Sequence, residues 1–483
     1  AGVWHDMRCR QHGGGKTAQH RPKGAMRQAD RGTGMRRLAK LTAAARWAGT
    51  VMLVLAMVVL PVQQASARGI SLVRDAEIER TLAMMTSPLL TAAGMSQSSI
   101  NMFIVNADSL NAFVAGGPNV FLHTGLISRL DRPEELQAVI AHELGHIAGG
   151  HLARRQIALQ QAQGPALLGM ALGIAAAVAG AGPAGLGLGL GTQEALRRGI
   201  LRYSRSEEAS ADQAAISYMK RAGINPSGLR DVVARFRGQE VLTFGSLDPY
   251  TQTHPLSTQR MQLIDREATA AESRNWPQNP EVDYWHARAR AKLRGFLSNP
   301  RRVLSEDEDK PETEFILYAR AVAQHRLPDL QSALGTMDEL MAMRPNDAYY
   351  HELRGQILYE SGNAEAALPE YRRANALAPN TPLLMSGLGR VLLALGGEAE
   401  TREALKTLEA ARRSDPGDLS MLRSLAIAYD RTGNRAMATL VTAERFAATN
   451  RREDAVLHAS RAVQLLPEGS PGWLRAQDIL AMK

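Results

Sequence analysis

The sequence predicts a mainly α-helical chain in two parts: an α-rich globular domain holding a small β-hairpin and, after it, an α-solenoid. Three observations predict this. Leu126, Ile127, Leu130, Leu136, Val139, Ile140 and Leu144 recur at helical spacing. Two short apolar runs, Asn101 to Val105 and Val120 to His123, lie among the turn residues Asn111, Gly116, Gly117, Pro118 and Thr124-Gly125, as the strands of a hairpin would. Pro345 and Pro379 stand 34 residues apart in an alanine-rich tail, a spacing that marks stacked helix pairs.

A chain of 483 residues, 45% hydrophobic and 22% charged, has room for two or three cores. Its formal charge of +9 suggests a nucleic-acid partner, but the distribution excludes one. Residues 1–67 hold 11 Lys and Arg against Asp6 and Asp30, which accounts for the whole excess, and the remainder carries 46 residues of each sign. Within that segment Met35-Arg36-Arg37 and Arg46 make a basic start, Ala48 to Val62 an apolar core, and Ala65-Ser66-Ala67 a small-residue cleavage site. Residues 35–67 therefore read as a signal peptide cleaved before Arg68, and 1–34 as a disordered or upstream extension. An uncleaved anchor is the competing reading, but 15 apolar residues fall short of the ~20 that a spanning helix needs. The sole cysteine, Cys9, lies in the extension, so any metal in the exported chain must be held by His and carboxylates.

Residues 68–298 read as the globular domain. Pro300, Pro311 and the charged run Glu306 to Lys310 mark 299–311 as a linker, and 312–483 as the solenoid. In the solenoid, Gly355, Ala367, Tyr371, Ala374 and Pro379 fall where a tetratricopeptide repeat wants glycine, alanine, an aromatic, alanine and proline. The next unit offers Gly389, Ala404, Leu408, Ala411 and Pro416, and an earlier one Ala333, Met337 and Pro345. Pro416 to Pro467 spans one period and a half, which predicts an extra helix there. The concave face of such an array binds peptides or proteins.

The chemistry centres on His142-Glu143-Leu144-Gly145-His146. Positions i and i+4 share a helix face, so the two imidazoles can hold one zinc ion while Glu143, one position round, addresses a water. Hydrolytic zinc sites use a third protein ligand. His151 is a poor candidate, because on a continued helix it lies ~140° from His146 and points away. Glu208 is better: on a second helix Glu208 and Asp212 are i and i+4, so the first can bind zinc while the second accepts the free ring N–H of a zinc-bound histidine.

With Asn111-Ala112-Phe113 and Gly116-Gly117 ahead of the motif, the Glu208-to-Asp212 helix, and His254-Pro255-Leu256-Ser257-Thr258-Gln259-Arg260 behind it, the chain resembles the HtpX/CAAX-endopeptidase family of gluzincin metallopeptidases. The resemblance implies an α-rich zincin fold with one Zn2+ per chain, bound by His142, His146 and Glu208, with Glu143 as general base and Asp212 behind the ligands. With the export signal and the repeats, it further implies a periplasmic endopeptidase acting on unfolded or misassembled envelope proteins, with the outer-membrane β-barrel assembly machinery as a partner. Two rival functions stand beside it: an assembly scaffold or chaperone whose protease is normally shut, and a peptidase embedded in the inner membrane.

Three further expectations follow. His254 either stabilises the tetrahedral oxyanion or occupies the metal's open position at rest. The strand Asn119, Val120, Phe121, Leu122, as an exposed edge, would bind substrate by strand addition. No charge occurs from Gln156 to Gln193, so 164–191 is expected to form a hydrophobic flap or a hairpin in peripheral contact with a membrane, ahead of a buried core hairpin or a transmembrane pair.

Overall fold

The computed structural model describes residues 71–151, 153–154, 205–237 and 254–482. The expected signal peptide and the uncharged 156–193 stretch lie outside the described residues. Among those described, no helix is long and apolar enough to cross a membrane.

Strand β1 (Leu72–Val73) opens the globular part, and Asp75 caps helix α1 (Ala76–Ala93) by accepting from the backbone N–H of Glu77 and Ile78. Three strands follow: β2 (Asn101–Val105), β3 (Ala112–Val114) and β4 (Asn119–His123). The sheet order is β1-β2-β4-β3. β4 pairs with β3 antiparallel and with β2 parallel. The expected hairpin of β2 with β4 is thus replaced by a hairpin of β3 with β4. β3 carries only three residues, too few for its alternation to show in the sequence.

Helices α2 (Thr124–Arg129) and α3 (Pro133–Ala148) share the apolar series seen in the sequence. Its seven members are all buried, but the chain breaks before Pro133, which starts α3 at a position where a missing N–H costs nothing. α4 (Arg205–Arg221) and α5 (Ser227–Arg237) pack on α3. α6 (Thr258–Glu272) and α7 (Pro280–Leu297) complete this part. The segment 299–311 is not open chain. It forms α8 (Pro300–Glu306), whose Val303 is buried, and Asp307 beyond it is held by Arg294 at 2.6 Å.

The solenoid then runs as α9 (Glu314–Arg326), α10 (Leu330–Met343), α11 (Ala348–Glu360), α12 (Ala364–Leu377), α13 (Pro382–Leu395), α14 (Glu398–Ser414), α15 (Leu419–Arg431), α16 (Arg435–Ala448), α17 (Arg452–Leu465) and α18 (Pro471–Ala481). Three helices, α15 to α17, fit between Pro416 and Pro467. The repeat glycines are where helices touch: a Cβ on Gly355 would sit 2.8 Å from the Tyr371 ring, and one on Gly389 2.5 Å from Leu408.

One apolar core runs from Val73 in β1 to Ile357 in α11, so the globular part and the first repeats are packed together. A buried ionic cluster lies in the same junction. Lys292 of α7 reaches Asp75 at 2.8 Å, Glu77 at 3.1 Å and Glu352 of α11 at 3.8 Å. Arg288 of α7 pairs with both Glu77 and Asp347 and lies 3.9 Å from the centre of the Tyr350 ring. Burial alone would raise the Asp75 carboxyl, but Lys292 overrides it and holds it below the ordinary aspartate value.

Candidate metal centre and its supports

Helix α3 delivers His142, Glu143 and His146, and α4 delivers Glu208 and Asp212. The two helices approach closely because neither has bulk at the crossing. A Cβ on Gly145 would stand 2.9 Å from the carbonyl oxygen of Ala211 and 3.0 Å from its Cα. Small residues at 145 and 211 therefore set the distance across which the metal ligands face each other.

Four donor groups converge there, those of His142, His146, Glu208 and His254, all fully buried or nearly so. His142 Nε2 and His146 Nε2 are 3.0 Å apart. Glu208 places one oxygen 3.5 Å from the first and the other 3.3 Å from the second. His254 Nδ1 is 3.3 Å from His142 Nε2 and 3.0 Å from Glu208 Oε1. A tetrahedron of donors about 2.0–2.1 Å from a central zinc ion has edges of about 3.3 Å, so this donor set has the size and the N/O chemistry of a zinc site.

The charge balance also fits a cation. Burial would lower the His142 imidazole, but Asp212 and Glu208 push it up to about 10; burial pushes His146 down to about 3. Glu208 is held well below the ordinary carboxylate range by His254, His142 and His146 against the opposing effect of burial. The Glu143 carboxyl is raised by burial, and neither of its oxygens meets a hydrogen-bond partner among the described residues. Such a group suits a ligand or water that it can serve as a base.

Behind the donors, Asp212 Oδ1 lies 3.0 Å from His142 Nδ1, the place expected of an orienting carboxylate. Arg260, at the start of α6, donates to Asp212 through Nε at 2.6 Å and Nη2 at 2.9 Å, and pairs with Glu208 at 2.6 Å. The sequence reading gave Arg260 no role. Its signal was present, since Arg260 closes the His254-to-Arg260 stretch, within which it also donates from Nη1 to the Pro255 carbonyl at 3.0 Å.

His254, Glu143 and the three expected ligands are brought together, with His254 Nε2 3.5 Å from Glu143 Oε1. Strand Asn119–Leu122 is not an exposed edge. β4 is hydrogen-bonded on both sides, by β2 and β3, so strand addition to it is excluded. The outer strand on that side is β3, which packs on α3.

Residues 74–268 match the model of Peptidase family M48, and residues 313–466 match a Tetratricopeptide repeat model. The "Beta-barrel assembly-enhancing protease" of Escherichia coli (strain K12) is 26% identical over 407 residues, covering 83% of this chain and 81% of that protein. The protein of the same name from Yersinia pestis is 25% identical over 358 residues, covering 73% of this chain and 72% of its own length. "Metalloprotease LoiP" of E. coli is 28% identical over 166 residues, 34% of this chain and 61% of that protein. The chain thus carries a peptidase family M48 domain followed by tetratricopeptide repeats, and is a metallopeptidase.

Proposed function

We propose that this chain is a zinc-dependent endopeptidase of the periplasm that degrades misfolded or stalled envelope proteins and works with the outer-membrane β-barrel assembly machinery through its repeats. The observation that carries the reading is the buried donor set His142, His146, Glu208 with the Glu143 carboxylate beside it, which has no hydrogen bond among the described residues. The envelope setting and the β-barrel partner are supported by the relatives' names, by the sequence of residues 35–67 and by the array after residue 312.

His142, His146 and Glu208 would hold the metal. A bound zinc ion would supply Lewis acidity, polarising a peptide carbonyl and acidifying a water. Glu143 takes the proton of the attacking water at its carboxylate and returns it to the leaving amine, a role suited to a carboxyl whose pKa burial has already raised. Asp212 fixes the His142 ring, and Arg260 fixes Asp212 and Glu208. His254 Nδ1 closes the donor set as a fourth group, which favours a protease shut at rest.

The test is zinc content and degradation of an unfolded substrate by wild type and Glu143→Gln. Full zinc occupancy with turnover reduced at least ~10²-fold is expected. Loss of zinc would make Glu143 a ligand, and unchanged proteolysis would remove it from the mechanism.

A further inference from the structure

Helix α3 ends at Ala148, two residues after His146, and the chain does not continue in register. Gly150 takes a φ of +62°, a conformation glycine adopts without strain, and helical structure resumes at His151. This reversal turns the His151 ring back beneath the metal centre. The ring is 2% exposed, and its Nδ1 lies 2.8 Å from Nδ1 of His146, the nitrogen facing away from the donor set. Gly149 has an ordinary φ of −71° that any residue adopts, so its smallness serves a different purpose. A Cβ there would lie 2.4 Å from His151 Nε2 and 2.8 Å from its Cδ2. Gly150 makes the turn, and Gly149 leaves the space for the ring.

We infer that Gly149-Gly150-His151 is a positioning device for His146: His151 Nδ1 accepts the Nδ1–H of His146, fixing the ring and the tautomer that directs the Nε2 lone pair toward His142 and Glu208. The inference rests on the reading of His146 as a metal ligand. It gives the two motif histidines different supports. His142 is held by the carboxylate of Asp212, and His146 by a neutral imidazole. Glu143, Glu208 and Asp212 already bring three carboxylates to this buried site, with Arg260 beside two of them. A neutral acceptor orients the second ring without adding a fourth negative charge, whose burial would need its own compensation.

The experiment compares His151→Leu, His151→Asn, Gly149→Ala and His146→Ala in the full chain. It reads zinc affinity by competition with a chromophoric chelator, the visible spectrum of the cobalt(II)-substituted protein, and thermal unfolding without metal. His151→Leu removes the acceptor and should weaken zinc binding ~10- to 100-fold with an altered cobalt spectrum. His151→Asn can present its Oδ1 where Nδ1 stood and should restore most of the affinity. Gly149→Ala, allowed by the backbone, should displace the ring and reproduce the loss. Wild-type affinity and spectrum in His151→Leu would overturn the inference. So would equal losses in the Leu and Asn variants with a matching drop in metal-free stability, since His151 would then only fill space. Full affinity in His146→Ala would instead overturn the ligand assignment on which the inference stands.

Discussion

At the scale of single residues, the centre is a set of side chains each fixed by another. Arg260 illustrates the cost of such an arrangement. A fully buried guanidinium is tolerable only because two carboxylates neutralise it, and those carboxylates hold one ligand and orient another. His254 is the member whose removal separates two roles most cleanly. As a resting cap, His254→Ala should open the fourth position and raise proteolysis, self-cleavage included, with zinc retained. A ~10²-fold fall in turnover with zinc retained, measured on the same substrate, would make it an oxyanion donor instead. His142, Glu143, His146, Glu208 and Asp212 were legible in the sequence because their relations are local, one or four positions apart on a helix. His151 was not: its geometry hinges on one left-handed glycine, and extrapolating α3 past Ala148 sent the ring the wrong way round. That extrapolation makes it a poor ligand candidate and hides its contact with His146.

At the scale of elements, the crossing of α3 and α4 decides whether the donors meet at all. Gly145→Ala tests this. The added methyl meets the backbone of Ala211, which cannot rotate aside as a side chain could, so the helices must part. A destabilisation of ~1–3 kcal/mol is expected, together with weaker zinc binding. Thermal unfolding and metal titration measure the two, and unchanged values for both would show that the crossing has slack. The sheet marks the limit of sequence reading at this scale. β2 and β4 were recognisable as strands from their apolar runs, but their parallel pairing depends on β3 completing a hairpin with β4, and three residues carry no pattern. The same short strand explains the error about substrate: without β3 in view, β4 looks like an edge. The repeats were easier to read, because Gly355 against Tyr371 and Gly389 against Leu408 are contacts between consecutive helices that recur at a fixed period.

At the scale of the whole molecule, the junction between the peptidase part and the repeats is a buried ionic cluster rather than a hinge. Lys292 is 1% exposed and faces Asp75, Glu77 and Glu352. Lys292→Met keeps the stem and deletes the charge, leaving buried acids without their ammonium, which should cost ~3–5 kcal/mol. Chemical denaturation followed by tryptophan fluorescence is a direct measure, since Trp285 packs edge-on against Tyr349 across this junction. A change below ~0.5 kcal/mol would mean that water reaches the cluster.

The same cluster bears on how such a protein could be assembled by recombination. A crossover in 299–311, where composition alone would place the seam, separates Arg288 and Lys292 from Asp347 and Glu352, so a hybrid joined there inherits buried charges from one parent and lacks their counterparts from the other. A crossover in the turn after Glu360 keeps all of these partners together and instead cuts partly exposed pairs, Arg74 with Asp415 and His351 and Arg354 with Glu370. The first repeat pair and its next helix are thus inherited with the enzyme, and an array exchanged beyond residue 360 need only supply counterparts of Glu370 and Tyr371 for the helix it meets.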